Sequence, residues 1–227
     1  NQEVRSMKIS RKIIGNIEGE ARKFFKNTSG CHDWTHVERV RSLALMIGKK
    51  EKANLTILET AALLHDIGRK SEMKTKGLFC HAEAGGKISR KILGKYEIDK
   101  NIIEDIIHCI ESHRYRNNYV PISIEAKVLY DADKLDSIGA IGIARTFLFS
   151  GSAAANKLYT GKEKEITKSG KDYSYTKEDS GYLEFEIKLK HIKKKMLTRE
   201  GKRIAEERHQ YMVKYFERFW KEVKGKL

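Results

Sequence analysis

The chain has 227 residues, 40% of them hydrophobic, enough for one large domain, or one domain with an appendage, around a sizeable core. Its 46 lysines and arginines against 31 aspartates and glutamates give a net charge of +15. That charge favours anionic partners, whether nucleic acid, membrane surface or phosphorylated metabolite, and does not choose among them, since Lys-rich surfaces are also common in proteins from hot environments. No apolar run approaches the ~20 residues of a membrane span, and the N-terminus lacks the apolar stretch of a secretory signal, so a cytoplasmic protein without a membrane partner is expected. Three scattered cysteines, Cys31, Cys80 and Cys109, exclude a disulfide framework. Each adjoins a histidine, but no pair among them reads as having the CxxC or HxxxH spacing that lets one turn present two ligands, and isolated buried thiols rather than zinc ligands are expected.

A single proline and apolar stripes of period 3.6 predict an almost wholly helical chain without internal repeats. The first chemically interesting helix spans 34–48, with His36, Val40, Leu43 and Ile47 on one face and Gly48 as its stop. The next opens at Thr56 and Glu59 in capping-box spacing, turns Leu58, Ala61, Ala62 and His65 inward and runs to Gly68. A helix over 81–93 places His81, Gly85, Ile88 and Ile92 on one stripe, and another from about Asp99 carries Ile103, Ile106, Ile107 and Ile110 before His113. After Pro121 a short helix leads into LYDADKLDSIGAIGIARTF, where Asp133, Asp136, Ala140 and Ile143 share a face and small residues permit close helix approach, which predicts a central helix. Residues 150–181 lose periodicity and read as a long loop or lid. Helical pattern resumes over 182–196, and a last helix from about Thr198 carries Ile204, Tyr211, Met212, Tyr215, Phe216 and Phe219.

The chemistry concentrates in His36, the pair His65-Asp66 and Asp133. Two imidazoles and two carboxylates suit a divalent cation of the Mg, Mn, Fe, Co, Ni or Zn group and leave positions for water. Asp131 rivals Asp133, because DAD offers two carboxylates on roughly opposite sides of a helix start, where Asp131 reads as an N-cap or as support for a ligand. Asp136 shares the Asp133 face and takes the same supporting role. Around a phosphate, Lys134 and Arg69 are the nearest cations in sequence, with Arg145 and Arg114 weaker candidates; a surface cation is the plain alternative for each.

In their order and separations, HDWTHVERV, HDIGR and DADKLDSIGA resemble the HD-domain superfamily of metal-dependent phosphohydrolases. The resemblance runs from about residue 28 to 149, with weaker similarity through the C-terminal helices to small stand-alone bacterial and archaeal HD hydrolases. It implies an all-α helical bundle with a helical C-terminal extension: a core over 7–149, the loop or lid over 150–181, and helices over 182–227 packing on the core as a single domain. It implies that His36, His65, Asp66 and Asp133 hold the ion, with Asp66 also orienting the attacking water. Asp133 is preferred to Asp131 because the family's ligand directly precedes a basic residue and a leucine, here Lys134-Leu135.

His81 and His113 match positions where some subfamilies add histidines for a second ion or for phosphate; helix capping is the third reading, and one ion per chain is expected. Lys188 and Arg208 match basic positions of the C-terminal similarity and join Lys134, Arg69, His81 and His113 as candidate substrate contacts. His32 and His108 carry no assignment. The resemblance points to a small phosphorylated substrate, a nucleotide cleaved at a phosphoanhydride bond. The alternatives are a phosphodiesterase acting on cyclic nucleotides or RNA ends and a non-catalytic nucleic-acid-binding protein.

Overall fold

The periodic apolar stripes fold as helices. The computed structural model describes residues 9–26, 31–70, 80–115, 119–152, 157–169 and 180–226, and among these it contains ten α-helices, two 3-10 segments and no strand. The chain divides into two compact units, Asn1–Asp133 and Lys134–Leu227.

The first unit contains α1 (Arg11–Arg22), α2 (Trp34–Glu51), α3 (Leu55–Leu64), α4 (His81–Leu93), α5 (Lys100–Ser112) and most of α6 (Ile124–Leu135). Helix α3 is its centre: every residue from Ile57 to Leu64 is buried, as expected of a helix that is apolar around most of its circumference. It packs against α2, α5 and α1, which bury Val40, Ala44 and Ile47, Ile106 and Ile110, and Ile17 respectively.

Two of the expected helix ends differ. Asn54, not Thr56, caps α3, accepting from the backbone N–H groups of Thr56 and Ile57. The Glu59 carboxylate that a capping box would need is buried and drawn away by the guanidinium groups of Arg11 and Arg41. Gly48 does not stop α2; the helix continues to Glu51 and ends at Lys52 with φ 58°. Gly48 instead allows close packing, since a Cβ there would lie 2.4 Å from Leu58 Cδ2.

The turn after α3 contains Gly68. A Cβ on it would lie 2.2 Å from the His81 carbonyl oxygen and 2.5 Å from the Gly85 nitrogen, so only glycine lets the HDIG turn press against the backbone of α4.

The second unit holds α7 (Gly139–Ser152), α8 (Glu163–Ser169), α9 (Gly181–Ile187), a 3-10 segment (Leu189–Lys195) and α10 (Arg199–Val223). The expected continuous helix through DADKLDSIGA is broken between Leu135 and Gly139, where Ser137 and Ile138 bond back to the carbonyls of Lys134 and Leu135 and Gly139 takes φ 81°. Asp131 lies inside α6 and is not an N-cap; the Ser123 hydroxyl accepts from Ala126 N at that helix start.

Of the expected loop 150–181, residues 153–156 and 170–179 lie outside the described residues, while 163–169 form α8. The buried Glu163 carboxylate accepts from Thr160 N and the Ser180 hydroxyl, and Ile166 packs on Leu183, which ties α8 to the start of α9. Helix α10 buries Ile204, Met212 and Phe216, with Phe216 stacked on Phe185 at 4.5 Å; Tyr211 and Tyr215 point outward. No described helix is long and apolar enough to cross a membrane.

Candidate metal centre

Five histidines and two aspartates of the first unit converge at the helix ends around Asp66. His36 is the third residue of α2, whose N-cap Asp33 accepts from His36 N. His65 and Asp66 follow the last turn of α3, His81 opens α4, His113 follows α5 and Asp133 sits near the end of α6. Their separation in sequence disappears because α2, α3, α4 and α5 present their ends to one point.

The donor spacings match those of metal ligands. His36 Nε2 lies 3.3 Å from His65 Nε2, 3.5 Å from Asp133 Oδ1 and 3.6 Å from Asp66 Oδ2, and His65 Nε2 is 3.8 Å from Asp66 Oδ2. Two donors about 2.1 Å from a zinc-sized ion and at the tetrahedral angle stand about 3.4 Å apart. His36, His65, Asp66 and Asp133, read from the sequence as one ligand set, are thus brought together, with the two histidines and Asp66 buried and Asp133 partly exposed. Asp131 is buried but belongs to none of the three metal-compatible donor clusters among the described residues, and neither does any cysteine.

Two rings are preset for ligation. His65 Nδ1 bonds the Ala62 carbonyl at 2.8 Å and His113 Nδ1 the Ile110 carbonyl at 2.6 Å. Each ring therefore carries its hydrogen on Nδ1, satisfies a carbonyl at its helix end and turns the Nε2 lone pair inward. His81 is set the opposite way. The Arg114 guanidinium, which can only donate, lies 3.2 Å from His81 Nδ1, so the inward Nε2 of a neutral His81 carries the hydrogen. That Nε2 stands 3.2 Å from His113 Nε2 and 3.1 Å from Asp66 Oδ1, forming a third cluster with Asp66 and His113.

Burial pushes His65 down to about 4 and lowers His113 as well, so both rings are neutral near pH 7 and their lone pairs are available to a cation. For Asp66, burial works to raise the pKa, but the charge of Arg69 and the surrounding histidines hold it well below the usual carboxylate range. Arg69 Nε donates to Asp66 Oδ2, while the buried Asp66 Oδ1, 3.1 Å from His81 Nε2, has no well-formed hydrogen bond among the described residues. An ionised, partly unsatisfied carboxylate among neutral imidazoles fits a divalent cation.

Sequence reasoning left His32 without a role, yet its ring stands edge-on to His36 and its Nδ1 is 3.6 Å from Asp66 Oδ2. His32 and His36 are four residues apart, but His32 precedes the N-cap Asp33, so it is the chain entering α2 and not a helical turn that brings its ring to His36. Asp136 is engaged elsewhere, paired with Arg145 across the turn between α6 and α7. Lys188 and Arg208 belong to the second unit, where Lys188 is exposed and pairs with Glu184 and Arg208 donates to the Leu135 carbonyl at 2.6 Å. His108 accepts from Ile122 N.

Known proteins share this fold. Residues 33–138 match the HD domain family. The chain is 36% identical over 201 residues to the uncharacterized protein YpgQ of Bacillus subtilis (strain 168), covering 87% of each. A crystal structure of B. subtilis YpgQ in complex with ADP superposes with a TM-score of 0.71 at 34% identity, covering 93% of this chain and 95% of that one. An HD-superfamily hydrolase from Bacillus thuringiensis also gives 0.71, at 29% identity over 94% of this chain and 98% of that one. The chain belongs to the HD-domain superfamily.

Proposed function

We propose that this protein is a divalent-metal-dependent phosphohydrolase acting on a nucleotide, cleaved at a phosphoanhydride bond. The observation that carries the reading is the placement of Asp66, a buried ionised carboxylate with His36 and His65 at ligand spacing and Asp133 beside His36. His36, His65, Asp66 and Asp133 would hold one ion. Such an ion supplies charge to a phosphoryl oxygen and lowers the pKa of water toward neutrality.

The chain's own groups do the rest. Arg69 keeps Asp66 ionised and fixed in orientation, which lets that carboxylate align the attacking water. His81, with its hydrogen turned inward by Arg114, offers a donor to a phosphate oxygen, and His113 is the acceptor beside it. Arg69 and Lys134 neutralise further phosphate charge. The nucleotide assignment draws on the ADP bound by YpgQ and on the chain's excess of basic residues.

The test is a screen of purified, chelator-stripped protein against nucleoside di- and triphosphates with Mn, Mg, Co and Ni, measuring released phosphate and pyrophosphate. Turnover of nucleotides that requires an added metal is expected. Absence of turnover with every metal, together with hydrolysis of cyclic nucleotides or RNA ends, would replace the reading by the diesterase one.

A further inference from the structure

His32 lies beside the centre with an unexplained nitrogen. Its Nδ1 is buried and has no hydrogen-bond partner among the described residues, although the side chain as a whole is 40% exposed, so the ring turns one edge inward and the other to solvent. The inward nitrogen stands 3.6 Å from Asp66 Oδ2, the same separation as His36 Nε2 from that oxygen. This exceeds the ~3.2 Å limit of an ordinary N–H···O bond, and Oδ2 already accepts from Arg69. Leaving a polar nitrogen buried and unpaired costs stability unless something else satisfies it. Hydrogen bonding to Asp66 therefore does not account for the ring's position.

A cation does. One donor atom each from His32, His36 and Asp66 lies within 4.8 Å of the other two, a group distinct from the His36, His65 and Asp133 group and joined to it through His36. Resting on the metal reading of this site, we propose that His32 is a ligand of the same ion, through Nδ1, with its Nε2 hydrogen facing water. The protein donors then number five, three imidazoles and two carboxylates. Five donors suit the six-coordinate preferences of Mn, Fe, Co or Ni better than four-coordinate Zn.

The experiment uses the full chain stripped of metal, titrated with MnCl2 by calorimetry and with CoCl2 by visible absorption, for wild type, His32→Ala and His32→Asn. His32→Ala is expected to bind Mn at least about tenfold more weakly, because loss of even an outer partner of a metal ligand has that effect. Its cobalt bands should shift as water replaces a nitrogen donor, while the metal-free melting temperature does not fall below the wild-type value. His32→Asn, which keeps a polar atom close to the Nδ1 position, should recover part of the affinity. Unchanged affinity and spectrum in His32→Ala overturn the proposal and leave the four-ligand site standing. A wild-type chain that binds neither ion overturns both. If His32→Asn is no better than His32→Ala and both melt early without metal, the loss belongs to packing and the ligand role fails.

Discussion

His65 and His113 meet edge-on with ring centroids 5.3 Å apart, and both are held by the same local device. Each follows the last turn of its helix and bonds Nδ1 to the carbonyl three residues back, at Ala62 and at Ile110. The similarity ends at their neighbours, for His65 meets His36 and Asp66 while His113 meets His81, whose tautomer Arg114 reverses. The His36–His65 half of the centre therefore presents a lone pair from His65, whereas in the other half the lone pair of His113 faces the hydrogen on His81 Nε2.

Metal content should follow that division. Asp66→Ala and Asp133→Ala are expected to abolish hydrolysis and strongly reduce bound ion, because each removes an anionic donor at ligand spacing. Asp131→Ala should retain more of both. Elemental analysis of the three purified variants decides it; full metal in Asp133→Ala with none in Asp131→Ala would reverse the choice of aspartate.

His81→Ala and His113→Ala should leave the stoichiometry at one ion per chain while raising KM or lowering kcat. The Arg114 contact that places a hydrogen on His81 Nε2 opposes a cation at that nitrogen. Two tightly bound ions in the wild-type protein, falling to one in either variant, would show a second ion at the Asp66, His81 and His113 cluster instead.

Much of this centre was legible in the sequence, and the limits of legibility have physical causes. His36, His65, Asp66 and Asp133 announce themselves through short motifs whose order survives folding. The helix over 81–93 has the bounds of its apolar stripe, and the next one starts at Asp99, whose side chain caps it. Glu59 misleads because Arg11, 48 residues away, and Arg41, 18 away, claim its carboxylate, an attraction that a local capping pattern does not contain. Gly48 reads as a stop but serves Leu58 of the next helix. The orientation of His81 depends on Arg114, 33 residues later, so no motif around HAEAGG reports it.

Acid should destabilise the metal-free protein earlier than carboxylate titration alone predicts. His65 titrates near 4 in the folded chain against about 6.5 when unfolded, so the unfolded state takes up its proton first. The stability from this ring is complete above about 6.5 and is lost as the pH falls toward 4; at 1.36 kcal/mol per unit it amounts to about 3 kcal/mol. Asp66, also lowered, acts in the same direction at lower pH. Thermal melting in chelator should show a fall of roughly 5–10 °C between pH 7 and 4.5 from His65, and a shallower fall in His65→Asn. A flat profile would contradict a buried neutral His65.

Gly68→Ala should lower stability by about 3 kcal/mol and release metal, because the added methyl meets backbone atoms of His81 and Gly85 that cannot turn aside. Gly15→Ala is the contrast. It lies exposed in α1 with nothing within 4 Å of its Cβ position, so the same change should stabilise by about 0.5–1 kcal/mol. Denaturant melts of the two variants, with metal analysis of the first, test the close contact between the HDIG turn and α4.

The excess positive charge provides the last test. For a small nucleotide only cations near the ion matter, since at 0.1 M salt charges beyond about 10 Å are largely screened. Lys134, next to Asp133, should then matter far more than the lysines of the 3-10 segment, and two of those are already engaged, Lys190 with Glu186 and Lys193 with Glu206. Lys134→Ala is expected to cut kcat/KM on nucleoside triphosphates at least about tenfold, whereas the combined change of Lys190, Lys194 and Lys195 to Ala should alter it less than about twofold. A nucleic-acid partner would invert the ranking, because many phosphate contacts add and affinity then falls steeply with salt. Kinetics of both variants, alongside filter binding to RNA and DNA at two salt concentrations, separates the cases. Tight, salt-sensitive polymer binding that disappears with the three lysines, and no nucleotide turnover with any metal, would refute the small-substrate assignment.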